Sequence, residues 1–539
     1  MKYKLLVLAF LCFQLSVYAQ EDAWVYLTDK ENVAASIANP IAILTQKAID
    51  RKTAHNVAID ERDVPVNENY ISQLKTQSGI TVLAKSKWFN AVHVRGLESD
   101  INALSALTFI DDIVFADGGL NAKIANPKKV ANKFEYELQS VSTTFNYGDA
   151  ANQIEMFNGD DLHLANYTGS GMTVAVIDAG FPSVDTNPGF DRVRNAGNIL
   201  GTYDFVNRDA DVYNNTQSNH GTLVFSDMAG YLENTFVGTA PDANYYLFIT
   251  ENAPTENPIE ESLWVEAAER ADSLGVDIIN TSLGYKTYDN PNYTHSSADL
   301  DGNTTYITKG ANIAFEKGML LVTSAGNSGA NGVFAPADAA GVLSIGAVKS
   351  DGTYASFSSV GSAFQPTQKP DVVAQGQASY VINTSGGVST VNGTSFSSPI
   401  LAGGITCLWQ ALPNLTNAQI MQLVRESASQ YTAPDYYLGY GIPDLSLALQ
   451  QGLSVNDEVL EPIAIKVYPN PAKQFVYVKL PSSITTAQLK LYTVLGKKVL
   501  NVALHSQQSK VNVSELPRGV YLIKIESESG SKTSKLILN

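Results

Sequence analysis

The sequence predicts a three-layer α/β domain with a mostly parallel sheet, preceded by a small α+β module and followed by a β-sandwich. Three patterns carry that expectation. From about Tyr147 to Gln450, short apolar runs (MTVAVID, NYYLFI, VDIIN, MLLVTSAG, VLSIGAV) are bounded by Gly, Asn or Pro and several are separated by helical segments, which is how βαβ units read. Residues 20–146 instead mix four candidate strands with three helical patterns. Beyond the linker SVNDEVLEPIA, period-two runs at FVYVKL, QLKLY and VYLIKI, with turn signals at YPNP and LPRG, read as a compact sandwich over residues 464–539.

In chain order, MKYKLLVLAFLCFQLSVYA joins Lys2 and Lys4 to an apolar core and a small-residue site before Gln20, so 1–19 is expected to be a secretory signal and the protein to be exported. No later apolar run reaches the roughly 18 residues that span a bilayer, and no transmembrane anchor is expected. Cys12 falls in the signal, which leaves Cys407 alone on an apolar helix, without a disulfide partner and with the setting of an inert core thiol. A formal charge of −17 argues against a nucleic-acid partner. Within 20–146 the strands fall at AWVYL, ITVLA, NAVHV and DDIVFA, with helices around Ile41–Lys52, Asn69–Lys75 and Ser99–Leu107. The stretch NAKIANPKKVANKFEYELQS has little periodicity and reads as an exposed connector open to proteolysis. The central domain is expected over 147–453.

In parallel α/β sheets ligands gather at the carboxyl ends of strands. Asp178 ends the run MTVAVID there, although Asp after a strand also serves simply to close a turn. His220, in SNHGT, opens a predicted helix; the other five histidines have no ligand-like spacing to one another or to Cys407, so a zinc site has little support. Asn327 follows LLVTSAG, where small residues let a substrate approach, and its amide can donate to a developing oxyanion. The stretch VNGTSFSSPI holds Ser395, Ser397 and Ser398 at the start of a helix apolar nearly all round; capping would need only one of them. A carboxylate, an imidazole, an amide donor and a serine at element ends of one domain are the parts that acyl transfer by a serine requires.

The motifs VAVIDAG, NHGT with GTAPDA, INTSLG, TSAGNSG and NGTSFSSP, and the closing GYGIPDL, resemble the successive signatures of the subtilisin-like serine proteases. The resemblance implies Ser395 as nucleophile, His220 as general base and acid, Asp178 as the carboxylate that orients it, and Asn327 with the Ser395 N–H as oxyanion donors. It implies a substrate strand along Ser282, Leu283 and Gly284 and a primary pocket between these and Ser324, Ala325 and Gly326, with Phe334 near its floor. Residues 20–146 resemble a subtilase propeptide, folding assistant and temporary inhibitor, and the C-terminal segment resembles the sorting domain of the type IX secretion system of Bacteroidetes. The expected partners are therefore protein or peptide substrates, the chain's own propeptide and that secretion machinery, with the enzyme acting as a monomer outside the cell. No cofactor is expected for the chemistry. Structural calcium is conceivable at DLDGN, where Asp299, Asp301 and Asn303 open like a calcium loop, but Gly310 stands at the twelfth position where a Glu is wanted. Two rivals are an inactive surface binding protein on a protease scaffold and an esterase, whose GxSxG elbow does not fit GTSFS.

Overall fold

The computed structural model describes residues 20–121, 145–214, 217–459, 466–480, 486–493, 497–505, 508–527 and 530–538. The expected signal peptide and most of the connector lie outside the described residues. The chain divides into two compact units, Met1–Gly452 and Leu453–Asn539.

The amino-terminal module is an antiparallel sheet of β1 (Gln20–Leu27), β2 (Thr81–Ser86), β3 (Ala91–Leu97) and β4 (Ile110–Phe115), in the order β2-β3-β1-β4. Its longer helices are α1 (Gln46–Ala54) and α2 (Glu68–Lys75). The expected helix at 41–52 starts later because Pro40–Ala42 forms a separate 3-10 turn and the Thr45 side chain caps the helix by accepting from Ala48 N. Strand alternation gives β1 two tasks. Ala23, Val25 and Leu27 enter the module's own core with Ile71 and Leu74, while Trp24 faces the other way.

The second part of this unit is a wholly parallel seven-stranded sheet. Its strands are β5 (Thr173–Asp178), β6 (Ile199–Asp204), β7 (Asn244–Ile249), β8 (Ile278–Thr281), β9 (Leu320–Ser324), β10 (Val342–Val348) and β11 (Val372–Gln375), ordered β11-β10-β9-β8-β5-β7-β6. Central strands β5, β8, β9 and β10 are buried along their whole length, which is why they read as unbroken apolar runs. Val174 and Val176 of β5 face one core with helices α3 (His220–Ala229) and the long central helix at Thr394–Ala411; Ala175 and Ile177 face the other, with α4 (Ile259–Leu274) and α5 (Tyr306–Glu316). The central helix, α6, is buried at every residue but Gln410, as its all-round apolar sequence predicts. Trp24, Ala84 and Trp88 of the module join the second core, so the module covers the outside of α4 and α5.

The second unit contains a three-stranded and a four-stranded antiparallel sheet whose inward residues, among them Val476, Val478, Leu489, Leu491, Ile523 and Ile525, share one core. Strands at Phe475–Lys479, Ala487–Thr493 and Gly519–Ser527 fall on the expected runs. Those at Lys498–Leu504, Gln508–Asn512 and Gly530–Leu538 were not marked by apolar alternation strong enough to read. Among the described residues no helix is long and apolar enough to cross a membrane.

Candidate active site

Asp178 is the last residue of β5 and is fully buried; its Oδ1 accepts from its neighbour Ala179 N at 2.7 Å and pairs with His220 Nδ1 at 2.8 Å. His220 can begin a helix this close to the strand end because Gly221 follows it: a Cβ there would stand 2.5 Å from Gly180 O and 3.0 Å from the Asp178 Cβ. The Thr222 hydroxyl secures the same turn by donating to Pro182 O at 2.8 Å. Burial opposes charge on the imidazole, but the attraction and hydrogen bond of Asp178 outweigh it and raise the pKa of His220 above its ordinary value.

Ser395 lies in the first turn of α6 and is 8% exposed. Its hydroxyl donates to Ser282 O at 3.3 Å, and among the described residues no hydrogen bond joins it to His220. Ser282 Oγ returns a bond to Ser395 O at 2.9 Å, so the residue after β8 and the start of α6 are tied together. The other two serines are structural: Ser397 donates to Thr394 O at 3.0 Å and Ser398 to Asn280 Oδ1 at 3.0 Å.

Asn327 reaches the same place through Thr394, a residue the motifs contain but the sequence reading left without a role. Asn327 Oδ1 accepts from Thr394 N at 2.8 Å and from its hydroxyl at 3.0 Å, which turns the amide nitrogen outward, and Nδ2 makes no hydrogen bond among the described residues. Together with the backbone N–H of Ser395 in the first turn of α6, which has no partner inside the helix, this makes two kinds of donor beside the Ser395 side chain.

Ser324 and Ala325 are buried, while Leu283, Gly284 and Gly326 are half-buried. Phe334 stands between the two segments. A Cβ on Gly284 would lie 2.9 Å from its Cβ, and one on Gly326 would lie 3.4 Å from its ring. Paired bonds between Tyr285 and Ala335 (2.8 and 3.1 Å) fix that approach. The ring of Phe396, the residue after Ser395, lies 5.8 Å from that of His220.

Spacing failed to reveal one histidine contact. His163 Nε2 is 3.7 Å from Cys407 Sγ, because α6 crosses the start of the domain. This is a packing contact: Cys407 is fully buried and donates to Thr239 O, and burial lowers the pKa of His163 to about 4. Asp299 and Asp301 are occupied by their own loop, Asp299 accepting from Ser296 N at 2.7 Å and Asp301 from Asn303 N at 2.9 Å and Thr304 N at 2.8 Å. Gly310 lies inside α5 against Val265. An acidic group that the sequence reading missed, Glu251, Glu256 and Glu260, brings carboxylate oxygens within 4.8 Å of one another, and Tyr285 donates to Glu251. Burial and then repulsion from Asp289 and Glu261 raise the pKa of Glu256 to about 7; burial above all raises that of Glu260 to about 8.

The Subtilase family matches residues 169–441, half of the chain. This chain belongs to the subtilase family. Subtilisin DY from Bacillus licheniformis is 28% identical over 303 residues, 55% of this chain and 97% of that protein. Subtilisin NAT from Bacillus subtilis subsp. natto is 31% identical over 303 residues, 55% of this chain and 70% of that protein. The subtilase is a serine-type peptidase, made as a zymogen: the peptidase S8 propeptide domain of Bacteroidota matches residues 22–133. A secretion system C-terminal sorting domain matches residues 466–539 and marks this subtilase for export by the type IX route to the cell surface or the medium.

Proposed function

We propose that this subtilase is an exported endopeptidase that cleaves peptide bonds through Ser395, His220 and Asp178. The observation that supports it best is the 2.8 Å bond between His220 Nδ1 and the buried Asp178, which leaves Nε2 to act on a serine at the head of α6. A turn about the Cα–Cβ bond takes the Ser395 hydroxyl from Ser282 O towards Nε2. His220 then accepts its proton as Oγ attacks the peptide carbonyl, while Asp178 holds the ring in one tautomer and stabilises its charged form. The oxyanion is met by Asn327 Nδ2 and the Ser395 N–H, strengthened by the positive end of the α6 dipole. His220 passes the proton to the leaving amine, and water repeats the sequence on the acyl-enzyme.

The substrate adds as an extended strand along Ser282, Leu283 and Gly284, its leading side chain entering between Gly284 and Ser324–Gly326. Phe334 makes that space shallow and favours small side chains. We further propose that the enzyme acts as a monomer and that the steps above call on no cofactor.

The test is turnover of casein against a short acyl ester, with Ser395→Ala as control. Casein cleavage that Ser395→Ala abolishes is expected. Ester turnover without casein cleavage would make the protein an esterase, and no turnover of either after removal of the propeptide would make it a binding protein on a protease scaffold.

A further inference from the structure

The propeptide meets the rest of the unit over two adjoining regions, the outer face of α4 and α5 and the amino ends of the central strands. At the first, a side chain of α4 caps the Ser86–Trp88 turn: the Glu269 carboxylate accepts from Ser86 Oγ, Lys87 N and Trp88 N at 2.5, 3.0 and 2.9 Å. The second involves α1 and the turn that follows it, and it sits at the opposite end of the sheet from Asp178. Lys47 bonds Thr173, the first residue of β5, and pairs at 3.1 Å with Asp277, just ahead of β8. Thr45 N donates to Ser273 O at 2.9 Å. A six-residue strand puts about 17 Å between this end of β5 and the catalytic end.

The centre of this second contact is a buried set of charges divided between the two parts. Lys52 of the propeptide pairs with Asp272 at 2.9 Å and with its own Asp63 at 3.2 Å; Asp63 in turn pairs with Lys317 at 2.7 Å. All four are at most 1% exposed. Arg51 of the propeptide also bonds Asp272, and Asp60 also pairs with Lys317 at 2.8 Å. Each charge on the protease side thus meets two opposite charges from the propeptide, and Asp272 is stranded without water only when both Arg51 and Lys52 are removed. The fit extends to the backbone. Gly275, in the left-handed region at φ 82°, ends α4 where a Cβ would come within 2.6 Å of Ala48 N.

We propose that Thr45–Asp63 is a separate anchor that grips the amino ends of the central strands and holds the propeptide on the protease after the chain between Asn121 and Phe145 is cut. Retention is then set at a surface remote from the catalytic centre. Lys47, Lys52 and Asp63 all leave with the propeptide, so substituting them alters the complex and leaves the mature enzyme chemically unchanged.

The test uses the full chain carrying Ser395→Ala, so that it does not depend on the proposed catalytic roles, with a recognition sequence for an unrelated specific protease placed within residues 122–144. After that cut, co-elution on a sizing column and the rate at which a labelled propeptide leaves on dilution report retention directly. The parent is expected to co-elute. The double variant Arg51→Met, Lys52→Met, which strands Asp272, should release at least about 100-fold faster, and Lys47→Ala, at the half-exposed rim, about 3- to 5-fold faster. Should the Arg51→Met, Lys52→Met double variant not fold, the Lys47→Ala rate decides alone. A parent that separates as soon as it is cut, or variants that release at the parental rate, would overturn the anchor.

Discussion

Among the described residues, Asp, His and Ser are linked by hydrogen bonds at one place, and nearly so at another. Beneath the propeptide, Asp22 Oδ1 pairs with His93 Nε2 at 2.8 Å, His93 Nδ1 with Ser262 Oγ at 2.8 Å, and Trp24 Nε1 donates to the same oxygen at 2.8 Å. In the cleft the Asp178–His220 bond is equally short, but Ser395 faces Ser282 instead. By hydrogen bonding alone the first group is the more complete. Yet Asp22, His93 and Ser262 are 2%, 2% and 4% exposed, whereas 30% of the His220 side chain is open to solvent. The buried group also exists only while β1 and β3 of the propeptide lie on α4. What separates the two is access for a substrate strand and donors aimed at an oxyanion, both of which follow from lying at the carboxyl ends of a parallel sheet.

The largest effects should divide along that line. Ser395→Ala or His220→Ala is expected to lower kcat/KM about 10⁴-fold or more, a magnitude known from dissected triads, subtilisin's included, and the double variant to be hardly worse than either. Ser262→Ala should leave the mature enzyme's kcat/KM unchanged and weaken only its inhibition by added propeptide, about 10-fold, because Trp24 and His93 lose a buried partner. Loss of turnover in Ser262→Ala would collapse the distinction. Next comes Asn327→Ala, expected to cost about 10²–10³ in kcat with little change in KM; subtilisin's own oxyanion asparagine is the source of that figure. For Phe334→Ala, kcat/KM for a large aromatic side chain relative to alanine at the cleaved bond should rise about 10- to 200-fold, read with paired peptide substrates. An unchanged ratio would show that another residue closes the pocket.

The smallest effects concern pH, and here the two regions differ in sign. Burial works against the Asp22 charge, but His93 and Arg95 overcome it and lower its pKa, so its contribution to the precursor is present above the ordinary carboxylate range and lost as pH falls. Near Tyr285 the reverse holds. Glu256 and Glu260 have pKa values raised to about 7 and about 8 from 4.5, so their contribution is complete below 4.5 and is lost as pH rises through 7 and 8. Glu260→Gln should therefore flatten the fall in melting temperature between pH 5 and 8, whereas Asp22→Asn should remove part of the precursor's loss of stability below pH 4, both measured by thermal scans. In the kinetics, His220 must be neutral to act as base, so its raised pKa places the acid limb of kcat/KM above about 6.5.

Much of the site was legible because its residues sit at element boundaries that local sequence announces. Asp178 closes an apolar run, His220 precedes a glycine that only close approach requires, and Ser395 opens a helix apolar on every side. Thr394 and the Ser282 carbonyl were not legible as partners of Asn327 and Ser395, since those contacts join residues 67 and 113 positions apart. The same holds for Cys407 beside His163, 244 positions away. In the propeptide the four strands could be read from their alternation, but the role of α1 could not: Lys47, Arg51 and Lys52 look like a solvated face until Asp272, Asp277 and Lys317 are brought against them.

The sequence by itself determined the family and the element ends that carry the residues proposed for the chemistry, because apolar periodicity and glycine placement act over a few residues. Only the tertiary structure decided which Asp, His and Ser lie open to solvent and which are sealed, how closely Phe334 approaches Gly284 and Gly326, and that charged residues of the propeptide are buried rather than exposed. Those outcomes depend on which surfaces exclude water when distant segments meet, and burial of that kind leaves no local periodicity to read.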